Sequence, residues 1–480
     1  MSMTARILPL QPPTPTARTI FLRQKAACRR HPFPTLEERR TSLAKLEALL
    51  TDQREAIADA VCRDFGHRSR HETQILEIFP ALDGLRHARR HLKRWMRPAR
   101  RPVSLLFAGA RNRVIPQPKG VVGIIAPWNY PLFLVISPLT SALAAGNRCM
   151  IKMAANSQNL CRLLHDLIGR VFDEDLLAVL PGVAAADFTP LPFDHLIYTG
   201  SPASGRTVMK TAAGNLTPVT LELGGKSPAI VAPDFATAAA AERILYAKFM
   251  NAGQTCVAPD YLLLPEDRLA DFVAAARRIV PTRYPNLETP DYTSIINEDR
   301  YRRLMELLDD ARARGASLIN LVPGSAADPS RRKIPPTLVT NVNSQMALMA
   351  QEIFGPVLPI ITYRRLAEAI DYVNQGERPL ALYLFTRDRA NRQQVLEHTM
   401  SGGVSINDCA LHVAQHDLPF GGIGESGMGQ YHGREGFREF SKLRPVFHQA
   451  RRPLSAVFLY PPYGRRFALI FRLLLRWRWF

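Results

Sequence analysis

Gly120-Val-Val-Gly-Ile-Ile-Ala-Pro-Trp-Asn-Tyr-Pro131 is a short apolar run that ends in a loop with a proline on each side of Trp-Asn-Tyr. A continuous apolar run, without alternation, is what a parallel strand buried on both faces requires. The chain that follows alternates helix and strand. A helical stretch covers Leu132 to Ala145, a strand Arg148 to Lys152, a helix Leu160 to Phe172, and a further strand His195 to Thr199. This alternation predicts a doubly wound α/β layer, with ligands bound at the carboxyl ends of its strands. A second alternating series begins near Pro228 and runs to about Asn407, so a second α/β unit is expected. Upstream, Leu43, Leu46, Leu49, Leu50, Ile57 and Val61 recur at helical steps, and residues 36 to 99 read as helices. Pro98, Pro102, Pro116 and Pro118 then leave only short extended segments.

At 480 residues the chain exceeds what one core supports, and two or three domains are expected. Its first residues lack the continuous apolar stretch of a signal peptide, and no segment approaches the roughly 20 apolar residues that span a bilayer. The six cysteines include no CxxC pair, which argues against a disulfide framework or a zinc site and fits a reducing cytoplasm. The net charge is +20. Part of the excess is clustered, between Arg86 and Arg101 and again after Arg451, where no acid interrupts it. Such patches attract nucleic acid or anionic lipid; a plain solvated surface explains them equally well.

Four local patterns carry chemistry. Cys256 closes Phe249-Met-Asn-Ala-Gly-Gln-Thr-Cys256, where Asn251, Gln254 and Thr255 are poor company for a buried structural thiol. A thiol becomes a strong nucleophile once ionised. Glu222, in Leu221-Glu-Leu-Gly-Gly-Lys-Ser-Pro228, lies between leucines, so its carboxylate is expected partly buried with a raised pKa, suited to take a proton from water. Asn129 sits in the rigid loop after the first strand, where its amide can donate to a developing oxyanion. In Thr199-Gly-Ser-Pro-Ala-Ser-Gly205, Ser201 and Pro202 predict a helix start whose free N–H groups suit a phosphate. The GxGxxG fingerprint is absent, so this last pattern alone is a weak sign of a dinucleotide.

Taken in order, these segments, the strand ending in Lys152, Glu352-Ile-Phe-Gly-Pro356 and Pro419-Phe-Gly-Gly-Ile-Gly424 resemble the aldehyde dehydrogenase superfamily over roughly residues 20 to 450. The 34-residue separation of Glu222 and Cys256 is also the family's. The run Gly421-Gly-Ile-Gly-Glu-Ser-Gly-Met-Gly-Gln-Tyr-His-Gly433 resembles the class 3 branch. His412-Val-Ala-Gln-His416 and Asp64-Phe-Gly66 look most like the coniferyl aldehyde dehydrogenases.

The resemblance implies a Rossmann-like cofactor domain over 1–99 and 119–224 and a catalytic domain over 225–418. Bridging segments would cover 100–118 and 442–460, and a basic tail 461–480. It implies NAD or NADP as cofactor, an aldehyde substrate (aromatic such as coniferyl aldehyde, or long-chain), a homodimer and no metal. Cys256 would attack the aldehyde, Asn129 and the Cys256 N–H would hold the oxyanion, and Glu222 would activate the water that hydrolyses the thioester. Lys152 would bond an adenosine ribose hydroxyl and Glu352 the nicotinamide ribose. Phe354 and Trp128 would lie against the cofactor, and Gly200, Ser201 and Gly205 would serve the pyrophosphate turn. One position departs: the family's carboxylate after its cofactor lysine is Ala155 here, which weakens NAD and removes a repulsion against NADP. Arg465, Arg472 and Arg476, among apolar residues, would share one face of a helix lying in a membrane interface, or the tail covers a partner subunit or the substrate entrance. The rival readings are a degenerate, structural member of the family, an accessory lipid or nucleic-acid role without specific nucleic-acid recognition, and acyl transfer to coenzyme A.

Overall fold

The computed structural model describes residues 16–104, 107–451 and 459–476. With strands numbered along the chain, β3 (Val121–Ala126) is the apolar run after Gly120, and all six of its residues are buried. Alternate residues serve two cores. Val121 and Ile125 pack with Ile20, Phe21 and Val208 on one face. Val122, Ile124 and Ala126 join the main core with Leu139 and Leu143 on the other. Helices on both faces explain why the strand shows no alternation.

β3 stands within a six-stranded sheet with β4 (Arg148–Met153), β5 (Leu177–Val179), β6 (His195–Gly200), β7 (Val219–Leu223) and β15 (Gly427–Met428). Their order is β15-β7-β6-β3-β4-β5, with only β15 antiparallel. The chain crosses through Gly224 and Gly225 to a second sheet of β8 (Pro228–Val231), β9 (Tyr261–Pro265), β10 (Ser317–Asn320), β11 (Thr337–Thr340), β12 (Val357–Tyr363), β13 (Ala381–Phe385) and β14 (Gly403–Ile406), ordered β10-β11-β12-β9-β8-β13-β14. Both sheets are dominated by parallel pairs, the α/β architecture expected from the sequence.

The chain then returns to the first unit. β15 pairs with β7, and the helix Gly433–Glu439 packs on the helices Phe79–Trp95 and Phe133–Ala144. Sequence reading had left this return at 419–441 unassigned. β1 (Ala99–Arg101), β2 (Arg111–Pro118) and β16 (Ser441–His448) form a separate antiparallel sheet, with β16 paired along the whole of β2. Its strands come from the two segments expected to bridge.

Upstream, the helix Leu36–Asp52 starts on a capping box of Thr35 and Glu38, and Leu43, Leu46, Leu49 and Leu50 are buried. A terminal helix, Arg465–Arg476, carries exposed Leu469, Phe471 and Leu475. Trp477, Trp479 and Phe480, part of the expected tail, lie outside the described residues. No helix among the described residues is long and apolar enough to cross a membrane.

Candidate active site

Cys256 reaches its place through a strained turn. Asn251, Ala252 and Gly253 follow one another with φ of 51°, 50° and 74°. Left-handed backbone costs a non-glycine residue about 1–3 kcal/mol. The offset is a buried amide network. Asn251 Nδ2 donates to the carbonyls of Asn129 at 3.0 Å and Gln254 at 3.1 Å. Gln254 Nε2 donates to those of Asn251 and Ser294, and Gln254 Oε1 accepts from the Ile296 N–H. Thr255 and Tyr130 share a 2.6 Å hydrogen bond. Asn251, Gln254 and Thr255 are therefore buried scaffolding, so their polarity, read from the sequence as poor company for a buried structural thiol, is satisfied inside the protein. Gly253 is required: a β-carbon there would strike the Gly355 carbonyl, so this turn locks onto the segment bearing Glu352 and Phe354.

The Asn129 loop is fixed from beneath. Arg68, wholly buried, donates to the Asn129 carbonyl at 3.0 Å and pairs with buried Glu77 at 2.7 Å. Glu77 in turn accepts from the N–H groups of Leu132 and Phe133. The Arg68 guanidinium lies over the Phe65 and Tyr130 rings at 4.9 and 5.0 Å. Sequence reasoning missed Arg68 and Glu77; a charged pair inside a helical, apolar-periodic stretch was the only signal, and it was shared with many surface pairs. Held this way, the Asn129 amide donates to the Gln254 carbonyl at 3.2 Å with its second N–H to spare.

These parts meet in one cleft of about 230 Å³, at the carboxyl ends of β3, β6 and β7. Trp128, Asn129, Gly200, Ser201, Glu222, Cys256, Glu352 and Phe354 line it, joined by Arg300, Arg303 and Phe420. Lys152 and Gly205 are not on its wall. Lys152 is half-buried on β4 beside Ile125, one strand along the same sheet edge. Gly205 is buried under its helix, where a β-carbon would stand 2.7 Å from Leu223 Cδ2, so it sets how closely the helix Pro202–Ala213 approaches β7. Sequence reasoning also missed Arg303, which donates to the carbonyls of Ile353 and Glu352 at 3.0 and 2.7 Å and fixes that rim.

Electrostatically the cleft favours neutral forms. Burial, then Glu352 and Glu222, push the Cys256 thiol up to about 12. Burial pushes Glu352 up to about 8. Glu222, buried with neither carboxyl oxygen hydrogen-bonded, is raised well above the usual carboxylate range by burial and then by Glu439. The residues fit a dinucleotide. Gly200 and Gly224 make a cradle that β-carbons would fill against the Tyr198 hydroxyl and the Glu352 carboxyl. Ser201 caps the helix Pro202–Ala213, whose N-terminus opens on the cleft. No cluster of three His, Cys, Asp or Glu able to hold a metal occurs among the described residues.

A cleft whose glycine cradle and helix N-terminus fit a nicotinamide dinucleotide, lined by a thiol and two carboxyls, has the build of an oxidoreductase. A sequence model described as the aldehyde dehydrogenase family matches residues 23–446, and the chain belongs to that family. It is an aldehyde dehydrogenase, oxidising an aldehyde with NAD(P) as cofactor. It is 51% identical to a "Probable coniferyl aldehyde dehydrogenase" of Pseudomonas aeruginosa, over 95% of this chain and 96% of that one. To the coniferyl aldehyde dehydrogenase of a Pseudomonas species it is 48% identical, over 89% and 90%. Its fold matches the substrate-bound state of Staphylococcus aureus AldH with a TM-score of 0.90 and 36% identity, covering 96% of this chain and all of that one.

Proposed function

We propose that the chain oxidises an aromatic aldehyde of the coniferyl type to its free acid through a thioester on Cys256. The observation that carries this reading is the meeting of Cys256, Asn129 and Glu222 on one cleft wall. In the proposed cycle Cys256 loses its proton to water, the thiolate sulfur bonds to the aldehyde carbon as the C=O π bond opens, and the oxygen becomes an oxyanion held by Asn129 Nδ2 and the Cys256 N–H. One such donor is worth about 3 kcal/mol in the transition state. The nicotinamide, when bound, supplies the hydride acceptor. Glu352 and Phe354 would hold it from the rim and Gly200 and Ser201 would serve its phosphates, with Trp128 across from Phe354, their ring centroids 5.5 Å apart. Glu222 then takes a proton from the water whose oxygen attacks the thioester, the C–S bond breaks, and the carboxylic acid leaves as the Cys256 thiolate is restored. A carboxyl already raised by burial suits that task better than an exposed one.

The aromatic substrate class rests on the coniferyl aldehyde dehydrogenases among the relatives; a long-chain aldehyde is the second choice. Further parts of the reading are a homodimer, cytoplasmic residence and an interfacial tail. Edges at β14 and β16 that are unpaired among the described residues support the dimer, since an open strand edge is a template for another chain. Six free cysteines support the compartment. The apolar exposed side chains of Arg465–Arg476 support the tail.

The test is Cys256→Ser combined with product analysis. Aldehyde-dependent NAD(P)H formation is expected to vanish while folding and cofactor binding persist, because a serine hydroxyl is scarcely ionised near neutral pH. Mass spectrometry of the wild-type product should give the free acid. Activity persisting in Cys256→Ser overturns the nucleophile. Acyl-CoA as product selects the acylating alternative, and no turnover on any aromatic or long-chain aldehyde selects the degenerate one.

A further inference from the structure

Among the described residues two arginines are buried, Arg39 and Arg68, and they are provided for differently. Arg68 meets the carboxyl of Glu77. Arg39, on the helix Leu36–Asp52, makes no ion pair among the described residues, although it is only 6% exposed. Its Nε donates to the Pro34 carbonyl at 3.0 Å and its Nη1 to the Ala144 carbonyl at 3.2 Å. A guanidinium carries five N–H groups, so three are left over, two of them on Nη2. Burial lowers the Arg39 pKa to about 10, with Glu38 acting against it, so the group is still a cation near neutral pH.

The seat of this cation is shaped for it. Gly146 follows the end of the helix Phe133–Ala144 with φ of 88°, and a β-carbon there would stand 2.6 Å from Arg39 Cζ. The glycine lets the guanidinium lie across the last carbonyls of that helix. A helix end offers about half an elementary charge, which falls short of a full counter-ion. Buried charges are ordinarily paired as well as hydrogen-bonded.

Arg39 stands on the wall of a cavity of about 300 Å³. The cavity lies at the amino end of β4, the opposite end of the strand from the catalytic cleft, and shares no lining residue with that cleft. Arg30, His31 and Arg148 line it too, with Glu38, Asp173 and Asp175 as the acids. Two of these acids are engaged. Glu38 accepts from the Thr35 N–H at 2.6 Å and lies 3.0 Å from His31, and Asp175 lies 3.4 Å from Arg30. A second hollow of about 670 Å³ has His31, Gly146 and Arg148 as a common wall with the first. It adds Lys25, Arg29, Lys119 and Lys442 against one acid, Asp194, which Lys25 already holds at 2.8 Å. Cations therefore outnumber acids across the two hollows.

We infer that the cavity beside Arg39 is a binding site for a small oxyanion, a phosphate or carboxylate group, which supplies this arginine with its missing counter-charge. The guanidinium fork takes either group through two parallel N–H···O bonds, and the free N–H groups of Nη1 and Nη2 are the pair that can make them. Arg30 and Arg148 share the wall and add attraction. The site is independent of the thiol chemistry and stands whatever Cys256 and Glu222 do.

The test is thermal melting of the full chain, saturated with NAD(P)H so that phosphate positions in the catalytic cleft are filled. Inorganic phosphate is raised against chloride of equal ionic strength. The Tm should climb with phosphate along a saturating curve, because a ligand of the native state stabilises it by mass action. Arg39→Gln should remove the saturating rise. Arg30→Gln, a second route should Arg39→Gln fail to fold, changes a side chain that is 69% exposed. It should weaken the midpoint about tenfold, the loss of about one charge-assisted contact. Arg277→Gln, the same charge change on the helix Leu269–Arg283, should leave the curve in place. Acetate titrated in the same way distinguishes the two oxyanions, and a saturating rise with either that depends on Arg39 or Arg30 supports the site. A rise no different from that in chloride overturns it, and so does a saturating rise that both variants retain.

Discussion

Cys256 is pushed up to about 12 and Glu352 up to about 8, with Glu222 also raised, all chiefly by burial. In the proposed cycle the thiol and the Glu222 carboxyl react in their deprotonated forms. Raising an acid's pKa moves its deprotonation to higher pH, so activity is gained on the alkaline side. We expect kcat/KM to climb between about pH 6 and about pH 9. A profile that is flat or falling over that range contradicts a cleft of this polarity. Ala155 makes a second residue-level prediction. It is exposed at the start of the short helix Ala155–Ser157, three positions from Lys152, with no carboxylate to repel a 2′-phosphate. NADP should be used within about tenfold of NAD, since one charge repulsion is worth roughly 1.4 kcal/mol. Ala155→Glu should move preference toward NAD. Strict NAD use in the native chain, unmoved by that substitution, counts against it.

At the scale of elements, the site is three loops locked to one another. The Asn129 loop, the 251–256 turn and the Glu352–Pro356 segment share carbonyls, and Arg68 and Gly253 are their fixed points. Arg68→Met should lower stability by about 3–5 kcal/mol, because it strands the buried Glu77 carboxyl without its partner. A urea denaturation curve with an unshifted midpoint would show the pair to be dispensable. The Cys256 motif was legible in the sequence because residues 249–256 are contiguous, and so was the strand ending before Asn129. The Arg68 contact was not, since 61 residues separate it from the carbonyl it holds.

For the whole molecule, the net charge of +20 and the apolar terminal helix make the same prediction. The intact protein should co-sediment with anionic vesicles and release at high salt, as each basic residue near such a surface adds about 1 kcal/mol. Truncation after Gly464 should abolish this binding and spare activity on small aldehydes. If truncation instead destroys activity, and the intact protein ignores vesicles, the helix is a packing element.

The sequence by itself determined the α/β class and the family, and it picked out residues that the fold gathers in one cleft. Those signals are local: an apolar run is buried on both faces wherever it folds, and Glu222 and Cys256 each carry their own neighbours. It also exposed Ala155, because a missing carboxylate is visible without coordinates. Only the tertiary structure decided that Lys152 and Gly205 stand off the cleft wall, the one a strand away and the other beneath a helix. It also decided that Asn251 and Gln254 are scaffolding, and that the chain returns at 427 to set a glycine opposite Glu222. Each of these depends on which distant backbone a side chain meets, and long-range pairing leaves no periodicity in the residues that make it.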